Sequence, residues 1–172
     1  MQKRSSGASQ CPVARSLEHV GESWSMLILR DAFHGLTRFD EFQKSLGIAP
    51  NMLTARLASL VESGLLERRL YCDRPPRYEY VLTERGRDFR PVVLALMAWG
   101  NRHFAPEGEA IRLVDRTTGE PLEPVLVHRG TDRILDEDNS ALAAGPAAGP
   151  DLRARIAFAA QRSSTKPRST PN

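Results

Sequence analysis

The stretch Ile48-Ala-Pro-Asn-Met-Leu-Thr-Ala-Arg-Leu-Ala-Ser-Leu-Val-Glu-Ser-Gly64 constrains the fold more than any other part of the chain. Leu53, Leu57, Leu60 and Val61 recur at helical spacing and make one apolar stripe. Pro50 suits a first helical turn, where its missing N–H costs nothing, and Gly64 suits the position just past the end. At 100° per residue the opposite side carries Asn51, Ala55, Ala58, Ser59 and Glu62, flanked by Met52 and Thr54. Small and polar groups near the N-terminus let such a helix approach a surface closely and still offer hydrogen bonds. A recognition helix in the DNA major groove has that need, because its N-terminal residues reach base edges. An ordinary surface helix can look the same, so its neighbours must decide.

Before it, Cys11–Gly21 reads as a short helix, with Pro12 in the first turn and Val13, Leu17 and Val20 on one face. Ser23 is expected to cap a second helix, Trp24–His34, closed by Gly35. Trp24, Leu27, Ile28 and Leu29 make it the element expected to be most buried. Thr37–Gly47 reads as a third helix with Phe39, Phe42 and Leu46 inward. The tight connection Gly47-Ile48-Ala49 joins it to Pro50, and two short helices linked through a glycine turn form a helix-turn-helix pattern.

After Gly64 the period becomes extended. Leu65–Tyr71 and Arg77–Leu82 read as paired strands about a polar tip, Cys72-Asp-Arg-Pro-Pro76, since proline cannot continue a central ladder. A hairpin at this place is a wing. Thr83 then caps a long helix through Val92, Val93, Leu96, Met97, Trp99 and Phe104, which Gly86 and Pro91 bend or divide. Residues 106–138 are expected to be a small β-rich extension, with strands over 110–116 and 124–129. Residues 139–172 are Ala/Gly/Pro- and then Ser/Thr/Arg-rich and read as linker or disordered tail, with a short helix possible over 151–160. Residues 1–10 read as a flexible arm, and the chain reads as having no internal repeats.

Composition agrees with one folded domain plus appendages. The chain has 172 residues, 41% of them hydrophobic, and a net charge of +3. The basic surplus sits early: residues 1–104 carry 15 Lys/Arg against 11 Asp/Glu, and the remainder 9 against 10. That distribution suits a polyanionic partner. No apolar run approaches the ~18–20 residues of a membrane span. Met1-Gln-Lys-Arg-Ser-Ser-Gly7 has no apolar segment behind its charges, so no secretory signal is read there. Two cysteines do not make a disulfide framework, and a reducing cytoplasm is the expected location.

The order of helices, helix-turn-helix, wing and long helix resembles the HxlR-type winged-helix regulators, relatives of the MarR group. The residues carrying the resemblance are Cys11-Pro-Val-Ala14, Trp24–Arg30, Arg38-Phe39, Glu41, Ile48–Leu53, Arg56-Leu57, Leu60, Gly64-Leu65, Tyr78–Thr83 and Gly86. The fold class expected is therefore α+β, mainly α: a winged helix-turn-helix domain over 11–105 with N- and C-terminal dimerisation helices. The resemblance implies homodimers, terminal helices packed between protomers, and binding to operator DNA.

Candidate DNA contacts follow from position. Asn51, Thr54 and Ala55 lie on or beside the outer face near the helix N-terminus as base readers, and Ser59, further along the same face, is a candidate DNA contact. Arg38 precedes a helix whose N-terminus suits a phosphate. Arg74 and Arg77 flank the stiff tip and suit the backbone or the minor groove. Arg56 stands beside the apolar stripe, either touching phosphate or bracing its helix. Val13, Leu17, Val92, Val93, Leu96 and Trp99 are candidate dimer contacts. Trp24, Trp99 and the phenylalanines are core or dimer packing, or else line a pocket for a small-molecule effector.

Cys11 stands at a helix start, where the dipole and Arg15 favour thiolate. In the resembled group some members sense oxidants or electrophiles through a cysteine at this position. A packed, inert thiol is the competing reading, and Cys72 reads as incidental. His19, His34, His103 and His128 have no metal spacing, and no catalytic motif or cofactor loop is present, so no enzyme is read. The rival class is a winged-helix module that docks a protein and leaves the groove face inert.

Overall fold

The structure is a computed structural model that describes residues 10–164. The flexible-arm reading of residues 1–9 and the end of the tail, 165–172, lie outside the described residues. Two compact units divide the chain: residues 16–124, and the chain start to Arg15 together with the segment from Val125 onward. The division falls inside the segment 106–138 that the sequence treats as one extension.

In the larger unit the elements are α1 (Pro12–Val20, begun in the other unit), α2 (Ser23–Phe33), α3 (Phe39–Leu46), α4 (Pro50–Glu62), β1 (Leu66–Asp73), β2 (Pro76–Leu82), α5 (Glu84–Asp88) and α6 (Arg90–Phe104). Val20, Ile28, Leu29, Phe42, Ile48, Leu53, Leu57, Leu60, Leu65 and Leu66 form its core. Periodicity placed Val20, Ile28, Leu29, Phe42, Leu53, Leu57 and Leu60 there, and the stripe on α4 buries Leu53, Leu57 and Leu60 completely; Ile48, Leu65 and Leu66 join them from the turn before α4 and the start of the wing.

Three local readings change. Ser23 is the first helical residue of α2, not its cap; Glu22 holds the cap position with no side-chain bond. Helix α2 also buries Ser25 and Asp31 beside Ile28 and Leu29, while Trp24 and Leu27 are half-buried. Asp31 is tolerated there because the Arg30 guanidinium stands 2.7 Å from its Oδ1. Helix α3 starts at Phe39, because Thr37 and Arg38 are drawn into the wing. The Tyr80 N–H donates to Thr37 O at 2.7 Å, and Arg38 bridges Glu79.

The wing is a two-stranded antiparallel ribbon in which Leu66 faces Leu82 and Asp73 faces Pro76, with an irregularity between Leu70 and Cys72. Its strands run further than the sequence suggests, leaving only Arg74-Pro75 at the tip. Pro76 is accommodated because it begins its strand, where a missing donor does least harm. Thr83 fastens the wing's exit to the exit of α4. Its hydroxyl donates to Gly64 O at 2.6 Å and accepts from the Gly86 N–H at 3.0 Å, capping α5. Gly86 is required by close approach: a Cβ there would lie 2.0 Å from Leu65 O. The long helix is thus divided, α5 ending at Asp88 and α6 beginning beside Pro91.

The extension is less β-rich than expected. In residues 110–124 the pairing is a single bridge, Val114 to Pro121. Among the described residues of the other unit, β3 (Val127–His128) and β4 (Arg133–Ile134) are the strands that pair. Ile111, Val125, Leu126 and Val127 have strand propensity but are all exposed, and a strand without a covered face gains little. An internal repeat does exist: Leu113-Val-Asp-Arg-Thr-Thr-Gly-Glu-Pro-Leu122 matches Leu126-Val-His-Arg-Gly-Thr-Asp-Arg-Ile-Leu135. Each copy closes with the same bond, Leu122 N–H to Leu113 O at 2.8 Å and Leu135 N–H to Leu126 O at 2.7 Å. Helix α7 (Pro150–Ser164) occupies part of the segment read as tail.

Candidate nucleic-acid interface

Local geometry at the α3–α4 junction follows from Gly47 and Pro50. Gly47 ends α3 in the left-handed conformation, φ 61°, and its N–H donates to Gln43 O at 2.9 Å. Ile48 is buried, and Pro50 sits at the N-terminus of α4. With Leu53, Leu57 and Leu60 inward, Asn51, Met52, Thr54, Ala55 and Ala58 are exposed and Ser59 is half-buried. Asn51 Oδ1 accepts the Met52 N–H at 2.9 Å, so its amide N–H2 group is what it offers outward. Thr54 Oγ1 donates to Pro50 O at 2.8 Å and must turn away from it to donate elsewhere. Arg56 is half-buried, and its Nε is enclosed without a hydrogen-bond partner among the described residues.

The exposed arginines stand on elements packed against α4, namely α3 and the wing. Arg38 is exposed at the N-cap of α3, and its N–H and that of Thr37 both donate to Glu41 Oε2 at 2.9 Å. Those two bonds, Thr37's first, hold the Glu41 carboxyl below its ordinary pKa. Arg74 and Arg77 are exposed about the tip of the wing. The sequence singled out neither Arg68 nor the aromatic partners of the wing. The Arg38 guanidinium lies 4.8 Å from the Tyr71 ring centroid, and that of Arg68 lies 3.4 Å from Tyr78's. Arg69, next in the strand, is ion-paired with Glu67. The alternation of Arg68 and Leu70 against Tyr78 and Tyr80 was the signal available for Arg68.

The candidate dimer residues split by exposure. Val13 and Leu17 on α1, and Val92, Leu96 and Trp99 on α6, are exposed, Leu96 at 47% and Trp99 at 53%. Val93 is half-buried, and no residue of α6 is fully buried. Trp99 packs edge-on against Phe104 with centroids 4.9 Å apart. Cys11 is half-buried, and its thiol is held below its ordinary pKa, first by the Ala14 N–H and further by the Val13 N–H and Arg155. Cys72 is half-buried on the wing, 3.7 Å from Arg74 O. A cavity of about 370 Å³ beside α6 is lined by Met97, Asn101, Arg102, Leu113 and Leu122 among others, and by no tryptophan or phenylalanine. Among the described residues no three His, Cys, Asp or Glu side chains are gathered as a metal would need. No helix among them is long and apolar enough to cross a membrane.

Residues 19–108 match the family model described as HxlR-like helix-turn-helix. An HTH-type transcriptional regulator of Mycobacterium tuberculosis is 43% identical over 148 residues, 84% of this chain and 90% of the relative. The solved structure of a transcription factor from Pseudomonas aeruginosa is 54% identical, covers 85% of this chain and 100% of its own, and superposes with a TM-score of 0.62. The reduced form of the redox regulator HypR is 35% identical over 56% of this chain and 99% of its own, with a TM-score of 0.52. The chain belongs to the HxlR-like helix-turn-helix family of transcriptional regulators.

Proposed function

We propose that the protein acts as a homodimer on an inverted-repeat operator, with α4 in the major groove and the wing beside the backbone. One observation carries this best: the exposed side of α4 begins with small and polar groups, Asn51, Thr54 and Ala55, and the exposed Arg38, Arg74 and Arg77 stand on α3 and the wing, both of which pack against α4. Asn51, Thr54 and Ala55 read bases, Ser59 touches the DNA beside them, and Arg38, Arg56, Arg74 and Arg77 anchor phosphates. Val13 and Leu17 on α1 and Val92, Val93, Leu96 and Trp99 on α6 pack across the two-fold axis, which supports spacing the two α4 helices to match the operator. Acting on the chromosome places the protein in the cytoplasm.

Cys11 is the sensor in this account. A thiolate favoured by α1's first N–H groups and by Arg155 reacts with an oxidant or electrophile, and the adduct shifts α1 and the spacing of the recognition helices. The likeness to HypR, a redox regulator, supports it. A small effector acting elsewhere on the dimer is compatible with the same scheme.

Footprinting on DNA upstream of the protein's own gene tests the proposal. The expected result is protection of two half-sites whose centres lie ~10 base pairs, or a multiple, apart. Binding to every duplex alike, abolished by moderate salt, would instead favour a winged helix that docks a protein.

A further inference from the structure

We propose that Tyr71 and Tyr78 are positioning residues that hold Arg38 and Arg68 ready for the DNA backbone, which makes Arg68 a phosphate contact of the wing. The inference rests on the DNA-binding reading above and adds three residues to it.

Arg68 and Tyr78 are not directly opposed in the ribbon, since Arg68 faces Tyr80 and Leu70 faces Tyr78. They are diagonal neighbours on one face, within reach of long and aromatic side chains. Leu66 and Leu82 share that face at its buried end, and it becomes exposed toward the tip. Arg68 therefore emerges where the ribbon leaves the core, with its guanidinium 3.4 Å from the Tyr78 ring centroid.

Arg38 reaches a similar state from another element. Its backbone is fixed by the bridge to Glu79 and by the bond to Glu41, and its guanidinium lies 4.8 Å from the Tyr71 centroid. Tyr71 falls at the irregularity between Leu70 and Cys72, where the ribbon's pairing skips a residue.

A guanidinium set over a ring uses its π-face on the aromatic and keeps its in-plane N–H donors for oxygen acceptors. The stack also removes rotamer freedom before the phosphate arrives, so less is lost on binding. Arg69 is the internal contrast, because its charge is compensated by Glu67 on the opposite face of the strand. The wing thus carries Arg68 over a ring on one face and the ion-paired Arg69 on the other, while Arg38 comes to Tyr71 from the start of α3. Both tyrosines are exposed, Tyr71 at 40% and Tyr78 at 36%, so each ring can be removed without opening the core.

The test measures operator affinity against salt for the full chain carrying R68A, R38A, R69A, Y78L, Y78F, Y71L, Y71F and the doubles R68A/Y78L and R38A/Y71L. Expected are salt slopes shallower by about one for R68A and R38A and unchanged for R69A. Y78L and Y71L should weaken binding about two- to fivefold with the slope intact, since the charge is still present. Y78F and Y71F, which keep the ring, should restore wild-type affinity. In the doubles the tyrosine substitution should have no further effect. A tyrosine effect that persists without its arginine, or Y78L and Y71L binding as wild type, overturns the proposal. If wild-type protein binds no operator, it is the DNA-binding reading that fails.

Discussion

Replacing Gly86 by alanine tests the joint on which the wing is hung. The new Cβ would lie 2.0 Å from Leu65 O and 3.1 Å from Leu82 Cδ2, whereas real Cβ contacts essentially never fall under 3.0 Å. A shift of about an ångström must open between α5 and the chain entering β1, two segments held by the Thr83 N–H to Leu65 O bond of 3.1 Å. Overpacking of this kind costs ~1–3 kcal/mol. Weakening the bonds that Thr83 makes to Gly64 O and Leu65 O adds ~0.5–1.5 kcal/mol each. Alanine's better helix propensity returns ~0.5–1 kcal/mol. The net expectation is a loss of about 3 kcal/mol in urea unfolding followed by circular dichroism at fixed protein concentration. Operator affinity should fall with it, because the wing is displaced relative to α4. Gly145→Ala is the control, since nothing lies within 4 Å of its Cβ, and it should stay within ~0.5 kcal/mol of wild type. Gly86→Ala as stable as wild type would refute the packing argument.

Leu96→Asp should give monomers by light scattering that no longer bind operator; a dimer with full affinity would place the interface elsewhere. Glu41 has a depressed folded pKa, so its contribution to stability is present above the unfolded value of ~4.3 and is lost as pH falls through the folded one. Glu41→Gln should therefore be less stable than wild type at pH 7 and show less of the acid-side decline in an unfolding series across pH 2–6. Diamide should weaken operator binding by wild type and by Cys72→Ser but not by Cys11→Ser, and unchanged wild-type affinity with Cys11 modified would leave that thiol a packing residue.

The winged helix was legible because its core residues announce themselves by period. Leu53, Leu57 and Leu60 at helical spacing, Gly47 in the turn and Thr83 at the cap each have one structural reading. The extension was harder, since Ile111, Val125 and Leu126 have the composition of strands but are exposed, and propensity alone does not place them in one. The repeat around Leu113 and Leu126 is faint in the sequence because only its end residues and a few turn positions are shared. Asp31 inside α2 was missed because a carboxylate's burial depends on Arg30 folding over it. On the interface, helical phase placed Asn51, Thr54 and Ala55 outward. The stacks of Arg38 on Tyr71 and Arg68 on Tyr78 were not legible, since they depend on the wing's register, its irregularity at Leu70–Cys72 and the pairing of Arg38 with Glu79.

The most direct test of the central claim compares Asn51→Ala with Arg77→Ala on the operator and on a duplex of unrelated sequence, each across a salt series. Asn51→Ala should lose ~1–3 kcal/mol on the operator alone, narrowing the preference between the two duplexes. Arg77→Ala should weaken both duplexes alike and make the salt slope shallower by about one. Interchanged effects, with Asn51→Ala lowering both affinities equally and Arg77→Ala erasing the preference, would contradict the placement of α4 in the groove and the wing on the backbone.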